Sequence, residues 1–159
     1  MNKRAFTLVE LAVVLLVIGI LAGLLLRNLG GFTSIARDQR RIGDLKNVSI
    51  YLSNYYTRQG RYPTVTSWST LEQTLRDAGV LAPGMTLPKD PVGNKDYDYY
   101  YCSSTGGRIS NYILRAQLEN STSQAPQLYE GSITTTPSGL SCTPTPQCNP
   151  NNNSVCFLF

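Results

Sequence analysis

The chain has 159 residues and a formal charge of +4, from 14 Lys and Arg against 10 Asp and Glu. Setting aside Lys3 and Arg4, which precede a long apolar run, lowers the balance to about +2, too weak to imply a nucleic-acid partner by itself. There is no histidine, so the commonest general base and metal ligand is missing.

The first stretch, Met1 to Ala5, is short and positive, and the apolar run Phe6 to Leu26 follows directly. Only Thr7 and Glu10 interrupt that run with polar side chains. At about 1.5 Å per residue it reaches roughly 32 Å, close to the hydrocarbon thickness of a bilayer. A helix so uniformly apolar is expected to cross a membrane rather than lie on a surface. A carboxylate inside such a helix costs about 2.5–3.5 kcal/mol on insertion scales, so Glu10 is a functional candidate. The plainer alternative puts Glu10 at headgroup level in a shifted span. An ordinary secretory signal is cleaved after its apolar core at a small-x-small site. Ile20-Leu21-Ala22 and Leu21-Ala22-Gly23 fit that poorly, and Leu24 stands where a lipidated cysteine would have to be. The better-placed small residue is Ala5.

Lys-Arg-Ala-Phe-Thr-Leu-Val-Glu resembles the class III signal of type IV pilins and type II secretion pseudopilins, although glycine is more usual than Ala5 before the cut. The resemblance implies cleavage between Ala5 and Phe6 by a prepilin peptidase, N-methylation of Phe6, and a register role for Glu10. In a filament that carboxylate would lie near the amine of a neighbouring subunit. Pairing would offset much of the cost of burying either charge and would fix axial register between smooth apolar helices. Residues 1–5 are then a leader that is removed, and 6–26 a transmembrane and filament-core helix.

From 27 to 58 the pattern turns amphipathic. Ile35, Ile42, Leu45, Val48, Leu52 and Tyr55 form one helical stripe, which predicts that the helix continues to near Thr57 and packs on a globular part. Paired glycines Gly30 and Gly31 are its expected flexible point, since each costs about 1 kcal/mol relative to alanine. Members of the resembled family often have a proline near position 27, where this chain has Arg27. Gly19 and Gly23 form a small-xxx-small pair that admits close helix approach. Lys3 and Arg4 place the N-terminus in the cytoplasm.

Residues 59–133 read as a globular head. Gly60 and Pro63 stop the long helix, and Ser67 to Gly79 predicts a short one capped by Ser67 or Ser69. Leu87-Pro88-Lys89-Asp90-Pro91-Val92-Gly93-Asn94 is a turn-forming loop that resembles the one preceding the sheet in small pilins and major pseudopilins. Asp96 to Tyr101 predicts a strand, Ser103 to Arg108 a hairpin loop, and Tyr112 to Leu118 the return strand, with Tyr112, Leu114, Ala116 and Leu118 on one face. A third strand is expected near Leu128–Ile133.

Residues 134–159 form a tail rich in Cys, Pro and Asn that would be disordered without crosslinks. Cys102, Cys142, Cys148 and Cys156 suit two disulfides in an oxidising compartment. Cys102 is expected to join one of the other three, and the three pairings stay open. Calcium-type major pseudopilins carry an acidic C-terminal loop, but no Asp or Glu follows Glu130 here, so such a site does not transfer. Asp90, Asp96 and Asp98 are read as solvated turn carboxylates in preference to a cation site.

No phosphate-binding glycine loop, Cys-x-x-Cys or Ser/His/Asp set is present, and Glu72, Glu119 and Glu130 read as scattered surface residues. No cofactor and no enzyme activity are expected. Arg37, Arg40, Arg41 and Lys46 with Tyr51 and Tyr55 could bind DNA, but a solvated helix face that meets neighbouring subunits is favoured. The expected fold is α+β, with the long N-terminal helix packed on an antiparallel sheet of three or four strands and a disulfide-bounded C-terminal loop. The resemblance implies a type IV pilus-like filament subunit for adhesion, motility or attachment. The alternatives are a major pseudopilin of a type II secretion system and a DNA- or surface-binding minor pilin. The implied partners are copies of itself, the prepilin peptidase and methylase, an inner-membrane assembly platform, and the membrane before assembly. The implied location is the cell membrane as a single-pass precursor, then an extracellular pilus or a periplasmic pseudopilus.

Overall fold

The computed structural model describes residues 7–26, 29–104, 106–107, 109–119, 132–148 and 153–159, with the backbone alone described at 25–26 and 29–32. The chain divides into two compact units, Met1–Ala36 and Arg37–Phe159.

In the first unit the apolar run forms α1, Leu8–Leu26. Its large side chains are exposed all round, from Leu8 and Val9 to Leu21 and Leu24. The part with described side chains, 8–24, is shorter than the roughly 20 residues that a span takes. Among the described residues no helix is long and apolar enough to cross a membrane. The apolar run of the sequence is longer, from Phe6 to Leu26. The second helix, α2, runs Leu29–Gln59, and Arg27 and Asn28 lie outside the described residues.

In the second unit α2 carries the expected stripe. Ile42, Leu45, Val48 and Leu52 are buried and Tyr55 is partly buried against them. Ile35, which continues the stripe in sequence but belongs to the first unit, is exposed. Helix α3, Trp68–Asp77, is capped by Ser67, whose Oγ accepts from the Thr70 N–H at 3.2 Å. It buries Trp68, Leu71 and Leu75. Gly79, at φ +66°, turns the chain so that the Val80 N–H reaches the Leu75 carbonyl at 2.9 Å.

The sheet has strands β1 (Asp98–Ser104), β2 (Ile109–Gln117), β3 (Ser132–Ile133), β4 (Leu140–Thr143) and β5 (Ser154–Leu158). The order is β3-β5-β2-β1-β4, and every paired neighbour is antiparallel. Five strands exceed the expected three or four because the polar tail supplies two of them. The third strand falls at the end of its expected range, and 128–131 lie outside the described residues. Alternation along the strands gives the sheet two covered faces. Tyr99, Tyr112, Leu114, Ala116, Val155 and Phe157 join the helices in the main core. Tyr100, Cys102, Ile113 and Cys156 point the other way and pack with Cys148, Cys142, Leu140 and Leu158. Both disulfides belong to this second cluster. Cys102 pairs with Cys142, its direct neighbour across β1 and β4, and Cys148 pairs with Cys156.

Candidate functional site

Two groups of residues carry the functional argument, one in each unit. The first is the start of α1. The Thr7 N–H and hydroxyl both donate to Glu10 Oε2, at 2.9 and 2.8 Å, and the Glu10 N–H donates back to Thr7 Oγ1 at 3.3 Å. This reciprocal capping box satisfies donors that a helix start leaves open. A carboxylate in the first turn also suits the positive end of the helix dipole. Thr7 was not singled out in the sequence, although Thr-x-x-Glu at the head of an apolar run is the signal for it. The expected cleavage and methylation positions, Ala5 and Phe6, lie outside the described residues, as do Lys3 and Arg4. Gly19 and Gly23 lie within α1, with no other atom near a Cβ built on either. Gly30 and Gly31 lie in the first turn of α2.

The second group is in the head, where the apparent basic face of α2 separates into exposed and buried parts. Arg40 and Lys46 are exposed. Arg41 is 3% exposed and lies among three carboxylates. Its Nε and Nη2 donate to Asp90 Oδ2 and Oδ1 at 2.7 and 2.9 Å, a two-pronged contact. Its Nη1 donates to Asp38 Oδ1 at 2.6 Å and lies 2.8 Å from Glu119 Oε1. Arg37 also pairs with Glu119. Asp38 Oδ1 further accepts the Glu119 backbone N–H at 3.0 Å. These ionic contacts tie α2 to the turn at Asp90 and to the exit of β2. The turn is shaped for this: the Val92 N–H donates to Asp90 Oδ1 at 2.7 Å, and Gly93 and Asn94 adopt positive φ.

This geometry corrects two expectations. Asp90 is an ion-pair partner of a buried arginine, not a solvated turn residue, whereas Asp96 and Asp98 stay half-exposed, as expected, while pairing with Lys89 and Arg115. Glu119 and Glu72 are not idle surface carboxylates either. Glu72 accepts from Arg76 Nη2 at 2.7 Å and from the Leu87 N–H at 2.9 Å, joining α3 to the loop before the sheet. Glu130 lies outside the described residues. Hydrogen bonds from Arg37 lower the Glu119 carboxyl to about 2 against a partial burial that would raise it, and Arg41 adds to the effect. Burial would also raise Asp90, but its bonds from Arg41 and Val92 hold it below the ordinary carboxylate range.

An open groove of about 690 Å³ lies between α2, α3 and the segment 86–96, with Tyr51, Trp68 and Leu87 beside Arg40, Gln73 and Lys89. Among the described residues no three His, Cys, Asp or Glu side chains are disposed to hold a metal ion.

Residues 1–26 match the family model of the prokaryotic N-terminal methylation motif. The chain is similar to the type II secretion system core protein G of Vibrio cholerae, 35% identical over 125 residues, which are 72% of this chain and 82% of that protein. The same protein of Aeromonas hydrophila is 33% identical over 107 residues, 59% of this chain and 73% of the relative. That of Dickeya chrysanthemi is 35% identical over 90 residues, 57% of this chain, and the match spans about half (53%) of its length. These relatives favour the type II secretion pseudopilin alternative over the type IV pilus reading. A methylation motif on a long apolar helix, followed by a head that aligns with these relatives, places the chain in the type II secretion system core protein G family.

Proposed function

We propose that this chain is the major pseudopilin of a type II secretion system, a structural subunit that polymerises into a periplasmic pseudopilus. The similarity to the Vibrio cholerae protein, which runs over 82% of that protein, is the observation that carries the reading. The precursor sits in the cell membrane through residues 6–26, with 1–5 in the cytoplasm. A prepilin peptidase removes 1–5, Phe6 becomes the methylated N-terminus, and the assembly platform extracts the subunit into the filament. Packed helices form the filament core, Glu10 sets their register, and the heads coat the outside. Thr7 and Glu10 satisfy each other in the single chain, which supports the idea that the carboxylate is held ready until a neighbouring amine replaces part of that partnership. Residues 27–58 join core to head, 59–133 form the head, and 134–159 complete its sheet. No catalytic step and no cofactor is assigned to the subunit.

Deleting the gene tests the reading. Exoproteins should accumulate in the periplasm, surface pili should be unchanged by electron microscopy, and mass spectrometry of the mature protein should begin at N-methylated Phe6. Intact secretion with loss of abundant sheared surface filaments would return the chain to the pili.

A further inference from the structure

Calcium-type members of the resembled family place a metal ion in an acidic C-terminal loop, and the residues present here do not fit one. No Asp or Glu follows Glu130. That end of the chain is closed instead by the Cys148–Cys156 disulfide and by strand β5. The described carboxylates of the head are engaged elsewhere. Asp96 and Asp98 pair with Lys89 and Arg115, Glu72 with Arg76, Asp44 with the Tyr97 hydroxyl, and Asp77 with Gln73.

The remaining three, Asp38, Asp90 and Glu119, come from three separate segments and meet at Arg41. Calcium bridging such segments would need about 6–8 oxygens at about 2.3–2.6 Å. Here a guanidinium does the bridging. It offers five N–H donors in a fixed plane and stays charged at every physiological pH. Four contacts at 2.6 to 2.9 Å consume the facing oxygens, including both of Asp90. The cation is covalently part of α2, so its crosslinking does not depend on metal supply.

We propose that Arg41 serves as a tethered internal cation that does in this head the crosslinking a calcium ion would do, so that the subunit folds and holds its structure independently of calcium. The inference concerns the folded subunit and does not depend on what the filament does.

Thermal unfolding of the full chain in detergent micelles tests it, with calcium chloride added in one arm and EDTA in the other. The two melting curves should coincide for the natural sequence, and a calcium-dependent rise in the midpoint overturns the proposal. Arg41→Met should lower the midpoint by at least about 10 °C in both arms, because it leaves three carboxylates facing one another. Adding Asp38→Asn to Arg41→Met should recover part of that loss, whereas Asp38→Asn alone should destabilise. A merely space-filling Arg41 predicts no such reversal of sign, and its absence overturns the assignment. If Arg41→Met does not fold, Arg41→Lys, which keeps the charge and loses the two-pronged contact, takes its place in the same cycle.

Discussion

Glu119 is partly in water, yet hydrogen bonds from Arg37 and Arg41 draw its carboxyl down to about 2. Asp90, more buried, is also held below its ordinary range. Carboxylates with lowered folded-state values contribute stability that is present above their unfolded values and lost as the pH falls toward the folded ones. The head should therefore melt at a constant temperature from neutral pH down to about 5, then lose stability between about 4.5 and 2. Glu119→Gln should shrink that acid-side drop while lowering the neutral-pH plateau, as read by melting curves across a pH series. A drop of unchanged size in the variant would remove Glu119 from the cause. Solvent and salt screen this contact, so high salt should shrink the drop as well. The partners in this cluster were not legible from the sequence. Arg41 precedes Leu45, Val48 and Leu52 by 4, 7 and 11 positions, which puts it on the buried stripe of α2, whereas Lys46 falls half a turn round from Arg37. Periodicity marks Arg41 as covered but cannot show which distant segment covers it. Asp90 lies 49 positions from Arg41, and the Glu119 N–H lies 81 from Asp38.

Elements whose signal is local were legible. Ser67 capping α3 and the α2 stripe from Ile42 to Leu52 follow from spacing alone, as does the buried face Tyr112, Leu114, Ala116 and Leu118 of the return strand. The C-terminal strands were not. The tail is dominated by Thr, Ser, Pro and Asn, and β4 owes its strand form to its partner β1; β5, Ser-Val-Cys-Phe-Leu, carries strand-forming Val and Phe but is too short to stand out from that composition. The disulfides depend on the same non-local pairing, because Cys102 meets Cys142 only once β4 lies beside β1. The two bridges should differ in weight. Cys102–Cys142 closes a separation of 40 residues and Cys148–Cys156 one of 8. In the chain-entropy account these contribute about 4 and about 2.5 kcal/mol. Denaturant unfolding of a Cys102→Ala/Cys142→Ala variant should thus show the larger loss and free the edge strand β4, against a Cys148→Ala/Cys156→Ala variant. Equal losses would mean that strand pairing, not loop closure, sets the stability of this face.

At the scale of the whole molecule the two units ask for different surroundings. Apart from Glu10, the described side chains of α1 are apolar or glycine, and its large apolar side chains are exposed. At roughly 25 cal/mol per Å² of apolar surface, that helix favours a bilayer or the helices of other copies over water. The head needs neither. Its two clusters draw only on residues between Ile42 and Leu158, the Arg41 contacts lie wholly within Arg37–Phe159, and both disulfides are internal to it. A chain beginning at Thr33 keeps all of these interactions and loses only the apolar helix and the start of α2. Expressed in an oxidising compartment, it should be soluble and monomeric without detergent. It should also unfold in one cooperative transition and show the same acid-side loss of stability as the full chain. The full chain should need detergent to stay in solution. If the shortened chain aggregates or melts without cooperativity, the head depends on its helix for folding. The division of labour between an assembly helix and a self-sufficient head would then be wrong.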